Sequence, residues 1–293
     1  GVTAQTNVFD DVIVPSPNHT YLEAAIIQEG LESALQNTSA DLTVFAPTDA
    51  AFDSLAAALN TTIAGLLALP NLTDILTYHV LGTQVPSSAI TNGAIVQPLS
   101  TTNTLKLTLT STGDVFVNQA QVTAADITTD NGVVHVLNKI VLPVETVADV
   151  AIDNGFTTLT TAVVTAELLP ALTDPLATFT VFAPTNQAFD DLASALNTTI
   201  SGLLALPNLA DVLTYHVLGT ENPSSAITNG AIVQPLSPTN TLKVTLTSMG
   251  MVYVNQAQVT TADVGADNGI VHILDAVVLP SETVIDIAID NGF

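Results

Sequence analysis

The chain has 293 residues, of which 3 are basic and 27 acidic, and its formal net charge is −24. Three lysines (Lys106, Lys139, Lys243) and no arginine are too few to displace nucleic-acid counterions, hold an anionic membrane surface or clamp a transferring phosphate. An apolar content of 47% excludes disorder, no apolar run reaches the roughly 18 residues of a membrane helix, and the lack of cysteine removes disulfides and thiolate metal sites.

Read in chain order, residues 20–36 carry Leu22, Ala25, Ile26, Leu31 and Leu35 at helical spacing. Leu42–Ala46 alternates as a strand and ends at Pro47. Thr48 is placed to cap a helix whose core side is Phe52, Leu55 and Leu59, with Asp49 favourable in its first turn. Thr61 or Thr62 caps a short helix through Ile63, Leu66 and Leu67, which Pro70 and Asn71 end. Leu72, Ile75, Leu76, His79 and Val80 predict another helix, stopped at Gly82. Beyond Gly82 the period changes to two. Strands are predicted at 93–97, 104–109, 115–117, 121–123 and 133–137, with turns at Asn92-Gly93, Thr112-Gly113 and Asn131-Gly132. Helices first and strands after predict an α+β domain with a largely antiparallel sheet system.

The pattern then repeats. Thr43-Val-Phe-Ala-Pro-Thr48 returns as Thr180–Thr185, Leu76–Thr83 as Leu213–Thr220, and Asp130–His135 as Asp267–His272, each offset by 137 residues. A period this long is a duplicated domain and not a solenoid. The predicted units are 8–143 and 145–280. Residues 281–293 are read as the opening of a possible third repeat, because Ala288-Ile-Asp-Asn-Gly-Phe293 copies Ala151–Phe156.

Each repeat shares two histidines. His79 and His216 lie on the apolar face of a predicted helix, and His135 and His272 in an apolar strand. Both pairs read as core histidines with hydrogen-bond partners. Zinc needs three or four converging ligands, so no metal site is expected. No cofactor is expected either. Nor does any Gly-x-Ser-x-Gly elbow or EF-hand-type loop occur, and the chain reads as a non-enzyme. Acceptor sequons stand at Asn18, Asn37, Asn60, Asn71 and Asn197, against about four expected from composition alone, so their number decides nothing about glycosylation.

Three motifs, in order and twice over, resemble those of the fasciclin domain family. They are Thr43-Val-Phe-Ala-Pro-Thr-Asp-Ala-Ala-Phe52 with Thr180–Phe189, Tyr78-His79 with Tyr215-His216, and Asp130–Pro143 with Asp267–Pro280. The resemblance covers essentially the whole chain. It implies two copies of a wedge or sandwich of β-sheets with a cluster of short helices. It also implies a secreted, extracellular or cell-surface adhesion module, commonly in tandem arrays, without enzymatic activity. The expected partners are a cell-surface or matrix protein or a polysaccharide, with no nucleic acid, no membrane insertion and possible further repeats in a longer chain. By the same resemblance the binding residues are Tyr78, His79, Asp126, Ile127, Tyr215, His216, Asp263 and Val264. The pairs preceding the aspartates, Ala-Ala and Thr-Ala, depart from the polar or acidic pair of integrin-binding members. Thr-rich strands such as 104–110 are expected to present a neutral hydrogen-bonding surface. Some algal relatives bind carotenoids, so the alternative function is a soluble carrier of a small apolar ligand such as a carotenoid.

Overall fold

The computed structural model describes residues 5–280, and residues 281–293, read above as the opening of a possible third repeat, lie outside them. They divide into two compact units, meeting between Val144 and Glu145.

The first unit opens with a π-helical turn, Phe9–Ile13, followed by α1 (Thr20–Gln28), α2 (Glu32–Gln36), β1 (Leu42–Pro47), α3 (Asp49–Ala58), α4 (Ile63–Leu67), α5 (Leu72–Tyr78) and β2 (Val80–Leu81). A 3-10 turn, Ser87–Ala89, leads to β3 (Ala94–Val96), β4 (Leu105–Leu109), β5 (Val115–Val117), β6 (Ala120–Thr129) and β7 (Gly132–Leu137). The second unit repeats the plan with α6 (Val147–Asp153), α7 (Thr157–Thr165), α8 (Leu169–Leu172), β8 (Phe179–Pro184), α9 (Asn186–Ala195), α10 (Ile200–Leu204), α11 (Leu209–Tyr215), β9 (Val217–Leu218), β10 (Ala231–Val233), β11 (Leu242–Leu246), β12 (Val252–Val254), β13 (Ala257–Ala266) and β14 (Gly269–Leu274).

Strand order is β2-β1-β7-β6-β5-β4-β3 in the first unit, and the second repeats it. Among the described residues only the β1–β7 pair and its counterpart β8–β14 are parallel; the other pairs are antiparallel. The ten-residue β6 passes between two sheets: Ala120 and Gln121 pair with β5, and Val122 to Thr129 pair with β7. This is an α+β fold with the sheets joined as a wedge along one shared strand.

Two cores result. Val44, Ala46 and Val134 face the helices, against Leu22, Ile26, Phe52 and Leu76. Phe45, on the opposite face of β1, packs between the sheets with Tyr78, Leu105, Leu107 and Leu137. A strand buried on both faces has no polar alternate residues to show, and β1 is buried at all six positions.

The caps form as their chemistry predicts. Thr48 Oγ1 accepts from Ala51 N at 3.4 Å, and Thr62 Oγ1 from Gly65 N at 3.1 Å. The helix predicted over 20–36 is two helices, because Gly30 takes a left-handed φ of 67° and Leu31 N returns to Ile26 O at 3.0 Å. The helix ending at Tyr78 stops short of Gly82, because β1 claims the next residues. Phe45 N donates to His79 O at 2.8 Å, and Val80 and Leu81 pair with Val44 and Thr43.

One surface expectation fails. Leu105 to Thr108 of β4 are buried, so this Thr-rich strand offers little hydrogen-bonding surface. The exposed strand is β6, open from residue 123 to 128. Two register shifts there leave Thr123, Ala125 and Asp126 outside the ladder with β7.

Lysine is the only trypsin target in this chain. Lys106 is buried in β4, where Nζ donates to Thr104 O at 3.0 Å, Lys243 lies within β11, and Lys139 follows β7 at an exposed position. Native digestion is therefore expected to cut first at Lys139. Mass spectrometry of timed trypsin samples checks this, and early cleavage at Lys106 would contradict it.

Candidate functional site

The residues singled out by sequence fall in two places in each unit. Tyr78 ends α5 and is fully buried between the sheets. Its hydroxyl donates to Thr104 O at 2.7 Å and accepts from Asn118 Nδ2 at 3.1 Å. Tyr215 makes the same pair of bonds, to Thr241 O and from Asn255 Nδ2. A tyrosine so bonded joins the end of the helix to the sheet and presents nothing to solvent.

His79 is buried beside it. Nδ1 lies 2.7 Å from Ile75 O, an acceptor, so Nδ1 carries the proton. Nε2 then accepts from Val141 N at 3.1 Å. His216 repeats this with Val212 O and Val278 N. Both ring nitrogens are used and the ring is neutral. Burial lowers the pKa of each histidine to about 4, against the opposing bonds to Ile75 and Val212 carbonyls.

Asp126 and Ile127 lie elsewhere, on the exposed bulge of β6. Asp126 adopts a φ of 59°, a conformation that Asp tolerates better than most residues. Its carboxylate accepts from Ser87 N at 2.8 Å and from the Ser87 hydroxyl, and these bonds hold its pKa below the ordinary range. Its own N–H donates to His135 Nδ1 at 3.3 Å, while His135 Nε2 donates to Val85 O at 2.8 Å. His135 stacks on Phe45, with centroids 5.8 Å apart. Asp263, Ser224, His272 and Phe182 form the same arrangement in the second unit. The bulge is thus held from beneath; Ile127 is exposed on it, while its counterpart Val264 is half-buried and packs in part against the second unit's core.

The structure therefore does not bring the Tyr-His pair and the Asp-Ile pair to one surface. The first is interior, the second exterior, and Phe45 lies between them: its N–H reaches His79 O and its ring meets His135. Among the described residues no three His, Asp or Glu side chains converge as metal ligands, and no helix is long and apolar enough to cross a membrane.

Sequence reading missed an apolar cleft between the helices and β1. In the first unit it measures about 430 Å³ and in the second about 720 Å³, open solvent at the mouth included. All twelve positions lining the first recur in the second at the 137-residue offset, among them His79/His216 and Leu99/Leu236. Leu99 and Leu236 are each half-exposed. Their exposure depends on packing across the fold, and no sequence period reveals it.

Comparison with known proteins gives the frame for these features. The chain is 26% identical to human periostin over 288 residues, covering 94% of this chain and 32% of that protein. It is 40% identical over 139 residues to protein sll1483 of Synechocystis, covering 46% of this chain and 73% of that protein. Pig transforming growth factor-beta-induced protein ig-h3 is 27% identical over 254 residues, 85% of this chain and 36% of that protein. This chain thus spans about a third of the length of the two animal relatives. A solved domain pair from the insect cell adhesion molecule fasciclin I aligns with 88% of this chain and 95% of its own, at TM-score 0.40 and 19% identity. The fasciclin domain model matches residues 17–143 and again 154–280. Two matches that together cover most of the residues, on a fold built twice, show that the chain belongs to the fasciclin domain family.

Proposed function

We propose that the chain is an extracellular or cell-surface adhesion module that binds a cell-surface or matrix protein or a polysaccharide through two weak, equivalent contacts. The observation that carries this reading is the duplication of one exposed feature, the braced bulge of Asp126–Ile127 and Asp263–Val264. Family membership supports it. Tyr78, His79, Tyr215 and His216 serve this surface from inside, by holding the helices on the sheets. Ile127 and Val264 make the contact. Linking two weak sites in one chain raises the effective concentration at the second site.

The test is retention of the whole chain on cell, matrix or polysaccharide surfaces. Ile127→Ser alone and Val264→Ser alone are each expected to weaken apparent affinity by about tenfold to a hundredfold, and the double variant to abolish retention, as lost avidity requires. Unchanged retention by both single variants would remove the bivalent reading.

The cleft favours a second reading, a carrier of a small apolar ligand. Its lining in the second unit is almost wholly apolar, the usual character of a ligand pocket.

A further inference from the structure

The two clefts share twelve lining positions but differ at one end. In the first unit the π-helical turn packs on α1 and α2, and its Phe9 and Ile13 are buried against Leu22, Ile26 and Leu35. In the second unit α6 takes that place on α7 and α8. The equivalence is fixed by hydrogen bonds: Val8 N donates to Asn131 Oδ1 at 3.0 Å, and Val147 N donates to Asn268 Oδ1 at 2.8 Å. After that shared anchor the side chains diverge. One residue past the anchor the first unit supplies Phe9 and α6 supplies Ala148, and Ala148 and Ala151 of α6 both line the larger cleft, whereas Phe9 and Ile13 are packed into the first unit's core. Smaller side chains on one wall leave space that the neighbours do not fill.

The chemistry of the lining is equally restrictive. Its polar side chains are Thr160, Thr214 and His216. Thr160 Oγ1 donates to Phe156 O at 2.9 Å, Thr214 Oγ1 to Ala210 O at 2.8 Å, and His216 uses both nitrogens on backbone groups. Lys243, the one lysine of residues 145–280, does not line the cleft. A carboxylate or phosphate headgroup would therefore enter without a partner and lose its hydration. It would also approach a chain of net charge −24.

We propose that the second domain's cleft binds an uncharged small molecule with a hydrocarbon body, and that the first domain's cleft, occupied at one end by Phe9 and Ile13, does not. This rests on the carrier reading and narrows it to one domain and one ligand class. It is independent of the adhesive contact at Ile127 and Val264.

The test uses the full chain with two probes, the neutral dye Nile red and an anionic dansyl fatty acid, read by fluorescence titration. One Nile red per chain is expected, with the fatty acid bound at least about tenfold more weakly because its charge finds no partner. Ala148→Phe, checked for fold by circular dichroism, is expected to reduce Nile red affinity by about tenfold or more by refilling the wall. Should that variant fail to fold, Leu236→Lys decides. It stands half-exposed at the mouth, and its cation is expected to bring the fatty acid up to the affinity of the neutral dye. Equal binding of both probes by the unsubstituted chain, two equivalent sites per chain, or a folded Ala148→Phe with unchanged affinity would each overturn the proposal and leave the carrier reading standing. No Nile red binding at all would remove both.

Discussion

Asn131→Ala is expected to destabilise the first domain by about 2–4 kcal/mol, because it strands several buried backbone groups at once. Asn131 is fully buried. Its Oδ1 accepts from Val8 N, and its Nδ2 donates to Leu35 O at 2.7 Å and Asn37 O at 3.1 Å. One side chain thus ties the chain's first turn and the end of α2 to the β6–β7 hairpin. The next residue is as constrained for a different reason. A Cβ on Gly132 would lie 2.5 Å from Leu42 O, a backbone atom of β1. Gly132→Ala must push apart the parallel β1–β7 pair, at about 3 kcal/mol by the cost of overpacking. Asp130 is exposed, and its carboxylate bonds only Thr6 among the described contacts. Asp130→Ala is expected to cost under about 1 kcal/mol, as exposed substitutions do. The intact second domain is the internal reference. Urea unfolding of either large-effect variant should resolve into two transitions, with only the earlier one shifted. A single unshifted transition for Asn131→Ala would contradict the assignment. Asn268 and Gly269 carry the same roles in the second domain, where a Cβ on Gly269 would meet Phe179 O at 2.1 Å.

Acid is expected to destabilise both domains well above the range where carboxylates titrate. His79 and His216 have folded pKa values of about 4, against about 6.5 in an unfolded chain. Between those values the unfolded state binds a proton that the native state refuses, so stability falls as pH falls. Each histidine contributes a slope approaching about 1.4 kcal/mol per pH unit across that window. Nothing compensates within the site, since Nδ1 and Nε2 are both committed to backbone partners. Below this window Asp126 and Asp263, whose pKa values are held down by Ser87 and Ser224, act in the same direction as they are protonated. Their stabilising bonds are present above the unfolded carboxylate pKa and are lost as pH falls through the folded one. Urea midpoints measured from pH 7 to 4.5 check this. His79→Phe is expected to lower stability at pH 7 and to remove that residue's share of the slope, leaving the smaller part due to His19, whose pKa burial also lowers. A flat midpoint across the window would refute the neutral-histidine account.

The fasciclin motifs are legible in sequence because much of what they encode is local. Thr48 and Thr62 cap their helices through amides three residues on, whereas the break that Gly30 makes after α1 is not visible in the apolar spacing. The duplication needs only the constant offset. The Asp130-Asn131-Gly132 block is also visible as a motif, but its purpose is not. Asn131 serves residues more than ninety positions away, and nothing in the neighbouring residues shows that.

The same division governs the candidate sites. Composition alone set the net charge of −24 and the scarcity of basic side chains, since charge balance is additive and independent of folding. Repeats and periodicity determined the duplication and the α+β class. Only the tertiary structure placed Tyr78 and His79 inside, because the groups that satisfy them, Thr104, Asn118 and Val141, come from later strands and the segment after β7. Only it put Asp126 on a braced bulge, through Ser87 on a separate turn and His135 across the ladder. Only it distinguished the two clefts, which share their lining positions and part at Phe9 and Ile13 against Ala148 and Ala151. Burial and cavity shape depend on which distant side chains meet, and that is set when the helices dock on the sheet.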